Sequence, residues 1–447
     1  MQTKVRPFAH SPIAASITTG FAVAVFAATV GFFTHLPNLR APSPVVFFAL
    51  AATFLGVAAF LGARVEKRRA VLVGAGGGLI GGVVLLMMLG SVLAGDEGPN
   101  SFRENATAIV LGWLVFAAAM GAVGGAIGAF TKLHTGPTLA DGRARDWHAT
   151  FLKVTAFSFV PLIVVGGAVT SKEAGMAVPD WPASFGHNMF LYPLSKMTGG
   201  IYYEHAHRLI GSLVGATVLA AFFFTLAADR RKWMWGLTLF AGLLVATQGW
   251  IGGERVKLDN RMLAALHGTS GQLIFALFVA VAAFASVRWK AGEPKRDGAL
   301  PGCGRLITVL ALVFLVIQLL LGVMTRHFEG STGYMHALIT HMTNSVLVAA
   351  LAIGAGLRTR QCLAPSMSAR SEDKLTRVVG TGVMHSTILQ MVLGVGAAGV
   401  VMIWRGEGND PWPEVIVTTA HQANGAALLA LVTLAAVWTR RLVKPKK

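Results

Sequence analysis

Long apolar runs alternate with short polar connections from one end of the chain to the other. Runs of about 20 residues, the length a helix needs to cross roughly 30 Å of hydrocarbon, recur at 12–35, 44–63, 71–94, 106–130, 150–171, 202–227, 233–252, 262–287, 305–325, 335–357, 376–403 and 414–438. This patterning predicts twelve transmembrane helices and an all-α polytopic membrane protein. The longest polar stretch between early spans, Thr131 to Ala149, contains Gly136, Pro137, Asp141 and Gly142 and is the best candidate boundary. It separates four spans from eight. The expected organisation is a four-span extension (1–135), a linker (136–149), a four-helix bundle (150–290), a second linker (291–304) and a second four-helix bundle (305–447).

The eight later spans read as a duplication. The fifth and ninth end in GGAVTSKEAG and LGVMTRHFEG, the seventh and eleventh in QGWIGGERV and QMVLGVGAAG. Every even-numbered span of the repeat carries a histidine toward its outer end: His207, His267, His341 and His421. A histidine in a transmembrane helix is costly unless it has a partner, a proton path or a metal. Neutral imidazoles from facing helices are the usual way a bundle holds haem iron from both sides, so His207 with His267, and His341 with His421, are expected to form two haem sites. The competing reading, imidazoles as interhelical hydrogen-bonding groups, suits one histidine better than four at matched positions. Zinc fits less well, since no tight spacing such as HExxH occurs. His205 and His336 leave open which neighbour is the ligand.

The sharpest local signal is EHAHR, Glu204 to Arg208. Glu204 and His207 are three residues apart and share a helix face, so the carboxylate is placed to act as a base beside a haem held by His207. Arg208 suits a haem propionate. The plainer readings are that Glu204 favours the helix N-terminus, and that Arg208 pairs with it at i,i+4 or snorkels to the headgroups.

Composition supports the membrane assignment: 54% of residues are hydrophobic and 13% charged. The 52 glycines suit close helix packing in lipid better than phosphate loops. A net charge of +18 raises the possibility of nucleic acid, but the basic residues alternate by connection. Arg64, Lys67, Arg68 and Arg69 follow the second span, Lys132, Arg143 and Arg145 the fourth, and Arg230, Arg231 and Lys232 the sixth. The pattern repeats after the eighth, tenth and twelfth spans, while the intervening connections are mixed or acidic. The expected partner is therefore membrane lipid and not nucleic acid, with both termini cytoplasmic. Cys303 and Cys362 then fall in cytoplasmic connections, where thiols stay reduced. The start, MQTKVRPFAH, lacks transit-peptide character, and the expected location is a bacterial plasma membrane.

Over about residues 150–438 the chain resembles the haem A synthase family of bacteria and mitochondria, duplicated four-helix bundles with eight spans. The resemblance rests on GGAVTSKEAGMAVPDWP, EHAHRLIG, TQGWIGG followed by ALHG, LITH, and TTAHQANGAALL. It implies haem O as substrate between His207 and His267, haem B as electron-transfer cofactor on His341 and His421, and Glu204 serving the chemistry beside Arg208. The implied reaction converts a porphyrin methyl to a formyl through a hydroxymethyl, with oxygen from water, for assembly of haem-copper terminal oxidases.

Two features depart from the family. Val178 and Ser184 stand where many bacterial relatives carry a cysteine pair, so a redox disulfide is excluded there. The four-span extension lies outside the resemblance, and docking of a haem O synthase or an oxidase assembly factor is one option for it; a homo-oligomer also stays open. Two other functions compete: a dihaem cytochrome passing electrons between quinol and a partner, and a transporter with histidine proton relays. A pure electron carrier should tolerate Glu204→Gln. A transporter should show helices broken at mid-membrane, and the sequence shows none.

Overall fold

The computed structural model describes residues 5–37, 39, 41–95, 98–131, 134–138, 144–292, 305–362, 371–404 and 412–443. Cys303, residues 139–143 of the first expected linker and 293–304 of the second lie outside the described residues. Among the described residues twelve helices are long and apolar enough to span a membrane. They are α1 (Pro12–Thr34), α2 (Ser43–Gly62), α3 (Lys67–Leu93), α4 (Ala106–Phe130), α5 (Trp147–Ser171), α6 (Gly199–Ala228), α7 (Lys232–Lys257), α8 (Arg261–Ala285), α10 (Arg305–His327), α11 (Tyr334–Arg360), α12 (Ser371–Trp404) and α13 (Trp412–Leu442), with a five-residue α9 (Val287–Ala291) after α8. Among the described residues the only β structure is isolated bridges. Several helix starts are written locally. Ser11 Oγ accepts the Ala14 N–H ahead of Pro12, Asp146 Oδ1 accepts the Ala149 N–H and Asn260 Oδ1 the Leu263 N–H, each satisfying a backbone donor that the helix itself leaves open.

The chain forms two compact bodies. The first comprises residues 1–165 and 174–243. Its α3 and α4 meet backbone to backbone along Gly74, Gly78, Gly121 and Gly125: a Cβ on Gly121 would overlap the Gly74 carbonyl and stand 2.9 Å from Gly78 Cα. Small residues substitute here for the hydrophobic driving force that lipid does not supply. Gly78→Val is therefore expected to separate α3 from α4 and cost about 1–3 kcal/mol or more, read as a lowered melting temperature in detergent. Gly112→Val, in open space on α4, should leave the melt unchanged.

The extension packs onto the family-like segment of the same body. The Tyr202 hydroxyl of α6 donates to the Phe32 carbonyl of α1, and the two rings stack at 5.6 Å. Gly90 of α3 lies under the Phe190 carbonyl, and the Asn188 N–H donates to Asn100 Oδ1 at 2.6 Å, so the extension reaches the connection between α5 and α6. At the other end of α6, buried Asp229 takes a fork of hydrogen bonds from Arg231, with Nη2 at 2.6 Å and Nε at 2.9 Å. Beside it His148 Nε2 meets Thr225 Oγ1 at 2.9 Å. Such pairing is what makes a buried carboxylate tolerable.

The second body comprises residues 166–173 and 244–447. Its core is small and branched: Ala311 and Leu315 from α10, Ala352 and Ala355 from α11, Val379 and Val383 from α12, and Leu428 and Val432 from α13. Large apolar side chains point outward on the same helices, with Leu306 70% exposed, Val346 66% and Val395 74%. An apolar surface of this extent is what a lipid-facing helix presents.

Candidate functional site

In the first body the site is built from the N-terminal part of α6 and the connection that precedes it. Gly199, with φ of 51°, makes the left-handed turn from which α6 starts. The connection is folded by Asp180, whose two carboxylate oxygens accept the N–H groups of Phe185 at 2.7 Å and Gly186 at 2.9 Å. Arg208 of α6 then reaches into this fold. Its Nη1 donates to the carbonyls of Asp180 (2.7 Å) and Ala183 (3.0 Å), and its Nη2 to the Val178 carbonyl (2.7 Å) and to Glu204 Oε1 (2.8 Å). Glu204, 2% exposed, accepts the Val178 N–H on its other oxygen at 2.8 Å. The i,i+4 pairing of Glu204 with Arg208 is thus present, and the guanidinium spends four N–H groups holding the connection to α6.

The neighbouring histidines differ in setting. His205 is fully buried, with Nδ1 3.2 Å from Ser184 Oγ and its ring 5.1 Å from that of Tyr192. His207 is half-buried on the same helix. Val178 and Ser184 hold the connection through Glu204 and His205.

The Asp180 carboxyl carries a testable pH dependence. Partial burial pushes it up, but the N–H groups of Gly186, Phe185 and Asp180 itself, with Arg208 nearby, outweigh this and hold it below its ordinary value. A depressed carboxyl contributes stability above its unfolded pKa, about 3.9, and that stability is lost as pH falls through the folded value. Protease protection of residues 176–190 is expected to hold from pH 7 to about 4 and to fall below it. In Asp180→Asn that acid-dependent step should disappear.

In the second body lie His267, His341 and His421. His207, His267, His341 and His421 are the ninth, seventh, eighth and tenth residues of their helices. At about 1.5 Å of rise per residue, their distances from their own helix starts agree to within about one turn. His336 is exposed in the first turn of α11. Each of the three second-body histidines rests on a glycine of the long helix before it: a Cβ would meet the His267 ring at 3.0 Å from Gly252, the His341 ring at 2.9 Å from Gly322 and the His421 ring at 3.1 Å from Gly394.

The sequence marks QGWIG as a repeat landmark and a family-like stretch and QMVLG as a repeat landmark, but Gln318 and Gly322 between them were given no weight. The signal available was the recurrent Gln four residues before Gly in QGWIG, QLLLG and QMVLG. Half-buried imidazoles seated in backbone slots fit haem iron, for which neutral imidazole is the common protein ligand. Among the described residues no three His, Cys, Asp or Glu side chains converge as a zinc site needs.

Comparison with known proteins gives a consistent result. Residues 149–337 match the family COX15-CtaA, cytochrome oxidase assembly protein. The chain is 27% identical over 360 residues to a heme A synthase of a Caulobacter species, covering 66% of this chain and 96% of that relative. It is 24% identical over 207 residues to the heme A synthase of Bradyrhizobium diazoefficiens, covering 39% of this chain and 55% of the relative. A third such protein, from Beijerinckia indica, is 26% identical over 211 residues, covering 39% of this chain and 56% of its own length. The chain thus spans little more than half of two of these three relatives. Glu204, His207, Arg208 and His267 fall inside the family match.

Proposed function

We propose that this chain, a multi-pass membrane protein similar to the haem A synthase family, is itself a haem A synthase that oxidises one methyl group of haem O to a formyl group. The observation that carries the reading is the pair of glycine-seated histidines, His341 and His421, in a chain whose family match also contains Glu204, His207, Arg208 and His267. His207 and His267 are assigned to the substrate haem O, and His341 and His421 to a resident haem B.

The reaction balances as two steps. The methyl takes up one water and releases two electrons and two protons to give the hydroxymethyl; the hydroxymethyl then releases two more of each to give the formyl. Haem B, when bound, would pass those electrons one at a time to an oxidant outside the chain, which takes up four for each formyl made. Glu204 accepts protons as the methyl is oxidised, and Arg208 fixes the carboxylate in place while closing the connection over α6. The protein would lie in the plasma membrane with both termini cytoplasmic, serving terminal-oxidase assembly beside a haem O synthase.

The test is extraction and mass identification of haems from protein purified with a haem O source. Haem A or its hydroxymethyl precursor is expected. Haem B alone, with haem O demonstrably available, would overturn the synthase reading in favour of an electron carrier.

A further inference from the structure

The connection between α5 and α6, which Glu204 and Arg208 grip at one end, is held at its other end by the four-span extension. The loop from α3 to α4 is closed on itself: the Gly95 N–H donates to the Ser101 carbonyl at 2.8 Å and the Arg103 N–H to the Leu93 carbonyl at 3.0 Å. At its tip, Gly98 to Ser101 form a turn closed by the Ser101 N–H on the Gly98 carbonyl at 3.2 Å, with Pro99 in the second position and Asn100, at a φ of 68°, in the third. Asparagine is one of the few residues besides glycine that suits this left-handed position. From there Asn100 Oδ1 accepts the Asn188 N–H at 2.6 Å.

Asn188 begins the short turn Met189–Leu191 and caps it, its own side chain accepting the Phe190 N–H at 3.0 Å. The Phe190 carbonyl lies against Gly90 of α3, where a Cβ would overlap it, so helix and turn meet at backbone distance. Tyr192 follows, 4% exposed, with its ring 5.1 Å from that of His205 and 5.6 Å from that of Phe185. Phe32 of α1, Tyr192 and Met197 of the connection and Tyr202 of α6 share one buried cluster, against which Met88 of α3 packs.

We infer that the extension is an internal clamp that holds this connection against Glu204 and Arg208, with Asn100 and Gly90 as positioning residues. A site that leans on an irregular segment keeps its geometry only as well as the surrounding shell supports it. Asp180 carries the support across the connection: its carboxylate ties Phe185 and Gly186 back to the residue whose carbonyl Arg208 holds. The inference rests on the synthase reading for its effect on product, and on the contacts alone for its effect on the connection.

The test uses the full chain purified with a haem O source, as wild type, Asn100→Gly, Asn100→Asp, Gly90→Val and the control Gly112→Val, whose Cβ enters open space. Amide hydrogen exchange and conversion of haem O are measured, with a thermal melt alongside. Asn100→Gly keeps the left-handed backbone and removes only the acceptor. Exchange at Val178, Phe185 and Gly186 is expected to rise about 2- to 10-fold, the worth of one hydrogen bond, and conversion to fall with it at an unchanged melt. Asn100→Asp keeps both the backbone and an acceptor and should restore exchange and conversion. Gly90→Val should raise the same exchange about 10- to 100-fold, while Gly112→Val matches wild type. A rise confined to Asn188, or a rise at Val178 with conversion unchanged, would overturn the clamp while the synthase reading stands. A wild type that converts no haem O would overturn the synthase reading; the clamp then stands or falls on whether Asn100→Gly opens Val178.

Discussion

Glu204→Gln, purified with a haem O source, is expected to retain haem while forming oxidised product about 10²- to 10⁴-fold more slowly, the range over which a positioned acid or base contributes. The substitution keeps size and removes the group able to take a proton. It also disturbs a filled network, because one Glu204 oxygen accepts from Arg208 at 2.8 Å and the other from the Val178 N–H at 2.8 Å. A glutamine NH2 must face one of those donors, at a cost of about 1–3 kcal/mol. Protease protection of residues 176–190 is therefore measured on the same preparation. Lost product with protection intact identifies Glu204 as the proton acceptor. Lost product with protection lost reassigns it to holding the connection, and undiminished product removes it from the chemistry altogether.

The spans were legible because bilayer thickness imposes one length on every crossing helix, and a run of 20 apolar residues has few other uses. Hydropathy was less informative about where helices end. The apolar run of the seventh span stops near Gly252, yet α7 continues to Lys257 through Gly253, Glu254 and Arg255, since the hydrogen-bond ladder persists where lipid no longer demands apolar side chains. The histidines were visible through repetition, each costly alone and informative as a set. The grip of Arg208 was not, because three of its four partners are main-chain carbonyls 25 to 30 residues upstream, which carry no sequence signature. The seats of the histidines were hidden for a related reason: a glycine within a helix acquires this meaning only when the next helix delivers a histidine against it.

Arg208→Ala is expected to release the connection between α5 and α6, with a local loss of about 3–5 kcal/mol, the cost of stripping one partner from a buried ion pair. The guanidinium ties the carbonyls of Val178, Asp180 and Ala183 to α6 at once, and its removal also takes the paired charge from a 2%-exposed carboxylate. Hydrogen exchange at the amides of Val178, Phe185 and Gly186 reads the loss directly. Arg208→Lys should recover only part of it, because a single ammonium lacks the planar fork that reaches three carbonyls and a carboxylate together. If Arg208 instead acts mainly on a haem propionate, Arg208→Ala will weaken haem binding and leave those amides protected. A double variant separates the two terms that make up the loss. Adding Glu204→Gln to Arg208→Ala removes the buried charge, so the pair should be less destabilised than Arg208→Ala alone if electrostatics dominates. Equal destabilisation would place the cost in the three open carbonyls, and hence in the fold of the connection itself.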